Sequence, residues 1–169
     1  MSRTLLLTTF IAVLVLCSSF ALKGAETKPT AADPNAAVHE AIEKAILKTF
    51  AEITKAAESV DAEKLFSYVL DTEKGCLISN GKITLTRQEA LEDYKASNAG
   101  IAGVVYTFDK HYVTVISSET AIMAVEGRFK ATTTDGRTFT FPMAQTIVFV
   151  LKDDGWRVLH SHTSSPAIR

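Results

Sequence analysis

Apolar residues in the segment that follows Pro34 recur at steps of three and four, which is the period of an amphipathic helix. Asp33 can accept hydrogen bonds from the free N–H groups of a first helical turn, and Pro34 suits the first helical position. The chain therefore predicts a long helix with one buried side. Its apolar positions are Val38, Ala41, Ile42, Ala45, Ile46, Phe50, Ile53, Ala57 and Val60.

Two shorter helices are expected after this one. Asp61 can cap a short helix that carries Leu65, Phe66 and Val69. Thr86 and Glu89 have the spacing of a capping box, in which each side chain bonds the other residue's N–H group, so a third helix should begin there. Its apolar side holds Ala90, Leu91 and Tyr94, and it should end near residues 98–100.

The remaining segments alternate between apolar and polar residues, which is the pattern of half-buried strands. Asn80-Gly81 is a two-residue turn signal within residues 76–85, so this segment predicts a short hairpin. Short joins, two of them Asp-Gly, separate four later strands, and such joins favour an antiparallel meander. These four strands are expected at residues 104–116, 121–132, 139–151 and 156–164. Helices followed by such a sheet indicate the α+β class.

The first 21 residues have the order of a secretory signal peptide. Arg3 precedes an apolar run over residues 5–16, and small residues follow, with cleavage expected after Ala21 or alternatively after Ala25. The run is shorter than the roughly 20 residues that span a bilayer, so no stable membrane span is expected after cleavage. Cys17 leaves lipidation open as an alternative. Residues 22–33 form a flexible lead-in, and residues 34–166 form one domain that is exported, either periplasmic or secreted.

Composition excludes several classes of function. The net charge of −1 and the absence of a basic run give no basis for nucleic-acid binding. The chain has two cysteines, and only Cys76 remains after the signal is removed, so no internal disulfide can form. No phosphate loop, nucleophile elbow or metal-ligand cluster is present in the sequence, and no metal or cofactor is expected.

The segment from Asp154 to Ser164, DGWRVLHSHTS, resembles the ending of SnoaL-like and kinase-association domains of the nuclear transport factor 2-like superfamily. Residues 81–89 give a second, weaker match, and the resemblance covers residues 37–166. It implies a cone-shaped, curved antiparallel sheet of four long strands plus a short hairpin, packed against three N-terminal helices. It also implies a ligand pocket in the cone and a homodimer formed by the outer faces of the strands. Middle-strand arginines of the kinase-association domains are replaced here by Gly127 and Val148, which weakens transfer of that pocket chemistry.

Period-two alternation places His160, His162 and Ser164 on the same face of the last strand as Trp156 and Val158. If that face lines the cone, the histidines are candidate ligand contacts or general bases, because histidine exchanges protons near neutral pH. The alternative is that they only hold strand ends by hydrogen bonds. His-x-His is also a metal-ligand spacing, but no third ligand is evident.

Three further features of the sequence are candidate site components. Gln145 interrupts the apolar face of the preceding strand, so its amide needs a partner such as His160 or a ligand. Tyr94 on the third helix can donate to a ligand oxygen, although packing alone would also explain it. Glu126 and Arg128 share a face that is either solvated or a charged pocket lining.

These observations favour an exported domain that binds a small apolar or mixed-polarity molecule through His160, His162, Gln145 and Tyr94. Two alternatives remain open. One is an isomerase, cyclase or hydrolase with His160 or His162 as general base. The other is a non-catalytic, dimerising interaction module. The sequence identifies neither the ligand nor the reaction.

Overall fold

A computed structural model of the chain describes residues 34–73, 75–79 and 81–166, without the side chain of Cys76. The expected signal peptide and the lead-in lie outside the described residues, so both stay predictions. None of the described helices is long and apolar enough to cross a membrane.

Three helices precede the long strands, as the sequence predicts. Helix α1 spans Ala36–Glu58, α2 spans Ala62–Phe66 and α3 spans Arg87–Ser97. Two of the predicted caps are confirmed. The Asp61 side chain accepts a hydrogen bond from the Lys64 N–H group at 3.0 Å, and the Thr86 hydroxyl accepts one from the Glu89 N–H group at 3.2 Å. Helix α1 begins slightly later than predicted, with Asn35 as the residue before it and no side-chain cap.

Six strands form one curved, open sheet. They are β1 (Cys76–Ser79), β2 (Lys82–Thr84), β3 (Ile101–Ser117), β4 (Thr120–Thr133), β5 (Thr138–Lys152) and β6 (Gly155–Ser164). Their order across the sheet is β2-β1-β6-β5-β4-β3. All neighbours are antiparallel except β1 and β6, which run parallel. The α+β architecture, with a hairpin and a four-stranded meander, is confirmed.

Helix α1 covers one side of the sheet, which we call the inner face; the opposite side is the outer face. Ile42, Ile46 and Phe50 of α1 pack against inner-face residues of four strands. Phe149, Ile46 and Met123 are the largest fully buried side chains of the described core. This packing fills one end of the inner face, the end formed by residues 121–125, 147–149 and 156–158.

The strand register shifts at four places, and two of these shifts lie well inside a strand and change which side chains face the helices. In β3, Phe108 pairs with Gly127 but Lys110 pairs with Glu126, so Asp109 is unmatched. In β6, Val158 pairs with Phe149 but His160 pairs with Val148, so Leu159 is unmatched. An unmatched residue is a β-bulge, and the residues beyond it point to the face opposite to that given by uninterrupted alternation.

The bulge in β3 lies against a glycine on the neighbouring strand. A Cβ atom at Gly127 would lie 2.2 Å from the carbonyl oxygen of Thr107 and 3.0 Å from the Cα of Phe108. Only a residue without a side chain allows this close approach of two backbones. Gly127 thereby fixes the position of the β3 segment that carries Tyr106 and Phe108.

Helix α1 ends in a turn that usually requires glycine. The N–H groups of Val60 and Asp61 bond the carbonyls of Ala57 and Ala56, respectively, which is the pattern of a Schellman motif. Val60 takes the left-handed position of this motif, with φ at 55°. A β-branched residue is strained there, so the surrounding packing must hold this end of α1 in place.

Candidate functional site

A row of aromatic side chains continues the inner face next to the core that α1 fills, and its Phe108 ring packs on Phe50 of α1 at 5.0 Å between centroids. We call it the aromatic row, and it consists of Tyr106, Phe108, Phe129, Phe139 and Phe141. Consecutive rings are 5.3 to 6.4 Å apart between centroids, so the row is continuous across strands β3, β4 and β5. None of the five rings is fully buried, and Phe139 is 42% exposed. A half-covered apolar surface of this kind is a typical element of ligand sites.

Polar groups lie at the β3 end of the aromatic row. The carboxylate of Glu58, the last residue of α1, accepts a hydrogen bond from the backbone N–H group of Tyr106 at 3.0 Å. Burial raises the pKa of Tyr106 to about 12, and the neighbouring Tyr94 and Glu58 contribute to the increase. Burial also raises the pKa of Tyr94. Both phenols are therefore protonated at neutral pH and available as hydrogen-bond donors.

Tyr94 itself is held by its own helix and by α2. Its ring packs edge to face against Phe66 at 5.7 Å between centroids, and its backbone carbonyl accepts a hydrogen bond from the Asn98 side chain. The ring is half-buried. The structure thus brings Tyr94, a predicted site residue, close to Tyr106 of strand β3.

The raised pKa of Tyr106 predicts a pH dependence of stability. The folded chain holds this proton more tightly than the unfolded chain, whose tyrosines ionise near pH 10. The stabilisation is therefore complete below pH 10 and is lost as the pH rises from 10 to about 12. We expect urea unfolding at several pH values in this range to show a steeper loss of stability in the wild-type protein than in Tyr106→Phe. If the free energy of unfolding fell equally steeply with pH in the two proteins, the raised pKa of Tyr106 would be contradicted.

Gln145 has a partner on the neighbouring strand. Its side-chain Nε2 donates a hydrogen bond to the hydroxyl of Ser161 at 2.9 Å. Ser161 is buried and Gln145 is half-buried, so the pair satisfies an amide on an otherwise apolar face. The predicted need for a partner is met by Ser161 and not by His160, and Gln145 stays a candidate ligand contact.

His160, His162 and Ser164 share one face, as predicted, but the prediction that this is the face of Trp156 and Val158 is wrong. Because Leu159 is an extra residue, Ser161 and Thr163 take the inner face beside Ile147 and Gln145. His160 and His162 instead pair with Val148 and Thr146 on the outer face, where His162 is exposed and His160 is half-buried. The bulge thus separates both histidines from Gln145 and Tyr94, and their proposed roles as ligand contacts or general bases stay predictions without a shared site.

Glu126 and Arg128, the pair predicted to be either solvated or a charged pocket lining, also lie on the outer face. Glu126 bonds Lys110 at 3.2 Å and Arg128 bonds Asp109 at 3.0 Å, and all four side chains are largely exposed. Ion pairs in such solvated positions contribute little to stability.

A small, partly open cavity lies elsewhere, between β1, β2 and the segment after α2. Its volume is about 10 Å³, and Leu70, Leu77, Leu85 and Leu159 are among its lining residues. This space accommodates about one water molecule. Within the described residues there is no group of three or more His, Cys, Asp or Glu side chains that could hold a metal ion.

The contact between Glu58 and Tyr106 could not be predicted from the sequence, because the two residues are far apart in the chain. Glu58 ends α1 and Tyr106 lies on β3, and their contact depends on how that helix crosses the sheet. The alternation of Val104, Tyr106 and Phe108 shows that these residues share a face, but it carries no information on what covers them.

Comparison with known proteins supports the fold. A proposed dehydratase of the NTF2-like family from Streptomyces avermitilis is 18% identical, with a TM-score of 0.68 over 76% of this chain and 99% of that one. A proposed calcium/calmodulin-dependent protein kinase II association domain from Xanthomonas campestris is 14% identical, with a TM-score of 0.64 over 73% and 87% of the two chains. No curated protein matches the sequence.

An NTF2-like protein of unknown function from Shewanella oneidensis is 23% identical, with a TM-score of 0.56 over 73% of this chain and 98% of that one. At these identities the structural likeness establishes the fold alone. The sequence profile of the SnoaL-like domain, however, matches residues 46–168, which is most of the chain. On this match and on the architecture described above, the chain belongs to the SnoaL-like domain family.

Proposed function

We propose that this chain binds a small, largely apolar molecule on the aromatic row of its inner face. The observation that carries the proposal is the row itself, because five adjacent aromatic rings remain incompletely covered on the side of the sheet where the core lies. Aromatic side chains that a folded protein leaves half-exposed in a group mark a binding surface more often than a packing defect.

Polar groups on both sides of the row would orient the ligand. Tyr94 and Tyr106 offer phenolic donors at the β3 end, and the Gln145–Ser161 pair offers an amide and a hydroxyl beside Phe141 and Met143. An apolar surface with a few placed polar groups is the usual composition of a small-molecule site. His160 and His162 are not part of this proposal, because they lie on the other face.

The test is native mass spectrometry of protein purified from its own cells, combined with an NMR titration with the neutral aromatic alcohol 1-naphthalenemethanol. We expect a co-purified small molecule, and we expect the alcohol to shift the amide signals of β3, β4 and β5 around Tyr106 and Phe129. Phe141→Leu, which removes a ring from the row and keeps an apolar side chain, should weaken binding about tenfold.

His160→Ala/His162→Ala is the matched control, since it removes two rings from the outer face. This double variant should bind as the wild-type protein does. Loss of the ligand in the histidine variant with retention in Phe141→Leu would show that the binding site lies on the outer face and would overturn the proposal. Absence of both a co-purified molecule and alcohol binding would also overturn it.

We further propose that the protein is exported and forms a homodimer through its outer face. Residues 1–21 support export by their charge and hydrophobicity pattern. Half-buried Val148 and exposed Thr146 and Tyr112 support the dimer, because they form an uncharged surface in the middle of the outer face. Light scattering of the purified protein checks the dimer, and recovery from the periplasm or the medium checks export. A monomer at micromolar concentration would contradict the dimer.

A further inference from the structure

The inner face has an unusual charge distribution next to the aromatic row. By register, the residues of β3 to β6 that face inward include no lysine or arginine anywhere in these four fully described strands. His111 is the one inward-facing basic residue among them, and it is exposed on the edge strand beyond the Asp109 bulge. An anionic ligand on the row would therefore meet no opposite charge from these strands, and the guanidinium of Arg137, in the turn before β5, is already paired with the carboxylate of Asp135.

Negative charge, in contrast, lies at the end of the row. Glu58 places its carboxylate at the backbone of Tyr106, and Tyr106 stacks on Phe108 at 5.8 Å between ring centroids. Glu58 is also the last residue of the 23-residue helix α1, whose C-terminal end carries partial negative charge. Lys55 is in the same turn, and its side chain is exposed. The carboxylate and the helix end together give this part of the inner face a negative potential.

The chain already places one cation on a ring of the row. The guanidinium of Arg137 lies over Phe139, 5.9 Å from the ring centroid, and its Nε bonds the carboxylate of Asp135 at 2.9 Å. The arrangement combines an aromatic face with a nearby carboxylate, and such pairs attract cations through the ring quadrupole and the charge. Glu58 and the rings of Tyr106 and Phe108 repeat these two components at the other end of the row.

From these observations we propose that the ligand is a small organic cation, with its apolar body on the aromatic row and a protonated or quaternary amine at Glu58. This inference rests on the proposed function and adds the charge class of its ligand. Tyr94 and Tyr106 would lie beside the ammonium group, where phenolic oxygens accept its hydrogen bonds or phenol rings face its methyl groups. Carboxylate ligands of the same size would be rejected.

The experiment compares three probes that share one benzyl group and differ in charge: benzyltrimethylammonium, benzyl alcohol and phenylacetate. Each is titrated into the protein by NMR, with the amide shifts of β3 to β5 as the readout. We expect the cation to bind about tenfold more tightly than phenylacetate, with benzyl alcohol between them. Glu58→Gln keeps an oxygen for the Tyr106 N–H group and removes the charge, so it should reduce this preference about fivefold.

Glu43→Gln is the matched control, because Glu43 is exposed on the same helix several turns before Glu58. It should leave the preference unchanged, and Phe141→Leu should weaken the cation and the alcohol alike. Binding of phenylacetate as tight as that of the cation, or a Glu58→Gln protein with an unchanged preference, would overturn the charge inference and leave the proposed function in place. Failure of all three probes to bind at millimolar concentration would overturn both.

Discussion

Replacing Gly127 by alanine is expected to destabilise the protein by about 3 kcal/mol or more. The new methyl group would meet the Thr107 carbonyl at 2.2 Å, and the atoms it meets are backbone, which cannot rotate away. Strand β3 would have to separate from β4 at the Asp109 bulge. Chemical denaturation monitored by circular dichroism measures the change.

Gly103→Ala is the control for this substitution. Gly103 is on the same pair of strands, but the nearest atom to a Cβ built there is the Glu58 carbonyl oxygen at 3.8 Å, an ordinary contact distance. The control should therefore change stability by no more than about 0.5 kcal/mol. Equal effects of the two substitutions would show that the close approach at Gly127 is not a structural constraint. A folded but weakened Gly127→Ala protein should also bind 1-naphthalenemethanol less tightly, because Tyr106 and Phe108 follow the β3 backbone.

Phe149→Ala is expected to lower the free energy of unfolding by about 3–5 kcal/mol. Phe149 is fully buried and lies between the α1 residues Ile42, Ile46 and Phe50 and the neighbouring strands, so its removal leaves a cavity that the helix cannot close by a small shift. A loss of this size should reduce the midpoint of thermal unfolding by roughly 10 °C or more, which a calorimetric scan would show.

The matched substitution is Leu151→Ala, two residues further along the same strand. Leu151 is 39% exposed, so its truncation should cost less than about 1 kcal/mol. If Phe149→Ala were no more damaging than Leu151→Ala, the core would not be centred where α1 meets β4, β5 and β6.

The order of elements could be predicted because each has a local signal. Steps of three and four residues gave the helices, Thr86 and Asp61 gave two helix starts, and the Asp-Gly pairs gave two of the turns. These signals act over a few residues and do not depend on tertiary contacts. The fold class and the sheet of four long strands with a hairpin followed from them.

The site could not be predicted in the same way, since it depends on strand register. Uninterrupted alternation places His160 and His162 beside Trp156 and Val158, and the same alternation along residues 104–116 would put Tyr112 on the face of Phe108. The bulges at Leu159 and Asp109 reverse both assignments, and Tyr112 is 65% exposed. A bulge in the middle of a strand has no strong sequence signal here, because neither Leu159 nor Asp109 is a turn-forming glycine. The predictions for Gln145 and Tyr94 do not depend on either bulge, because Tyr94 lies on α3 and β5 pairs with β4 without a register shift. Both residues lie on or beside the inner face.

The extra residue in β6 has a genetic consequence. Because Leu159 is unmatched, an in-frame deletion of its codon would leave Val158 and His160 opposite Phe149 and Val148, as they are now. Every other side chain of the strand would keep its face. Insertion of one more residue next to Leu159 would instead need a second bulge to keep the faces unchanged. The chain can therefore lose one residue at this position during evolution without a change of facing in β6. The residues that contact the helices stay on the inner face, and those that contact solvent or a partner stay on the outer face. Relatives that differ by one residue at this point are therefore expected to preserve the same inner surface.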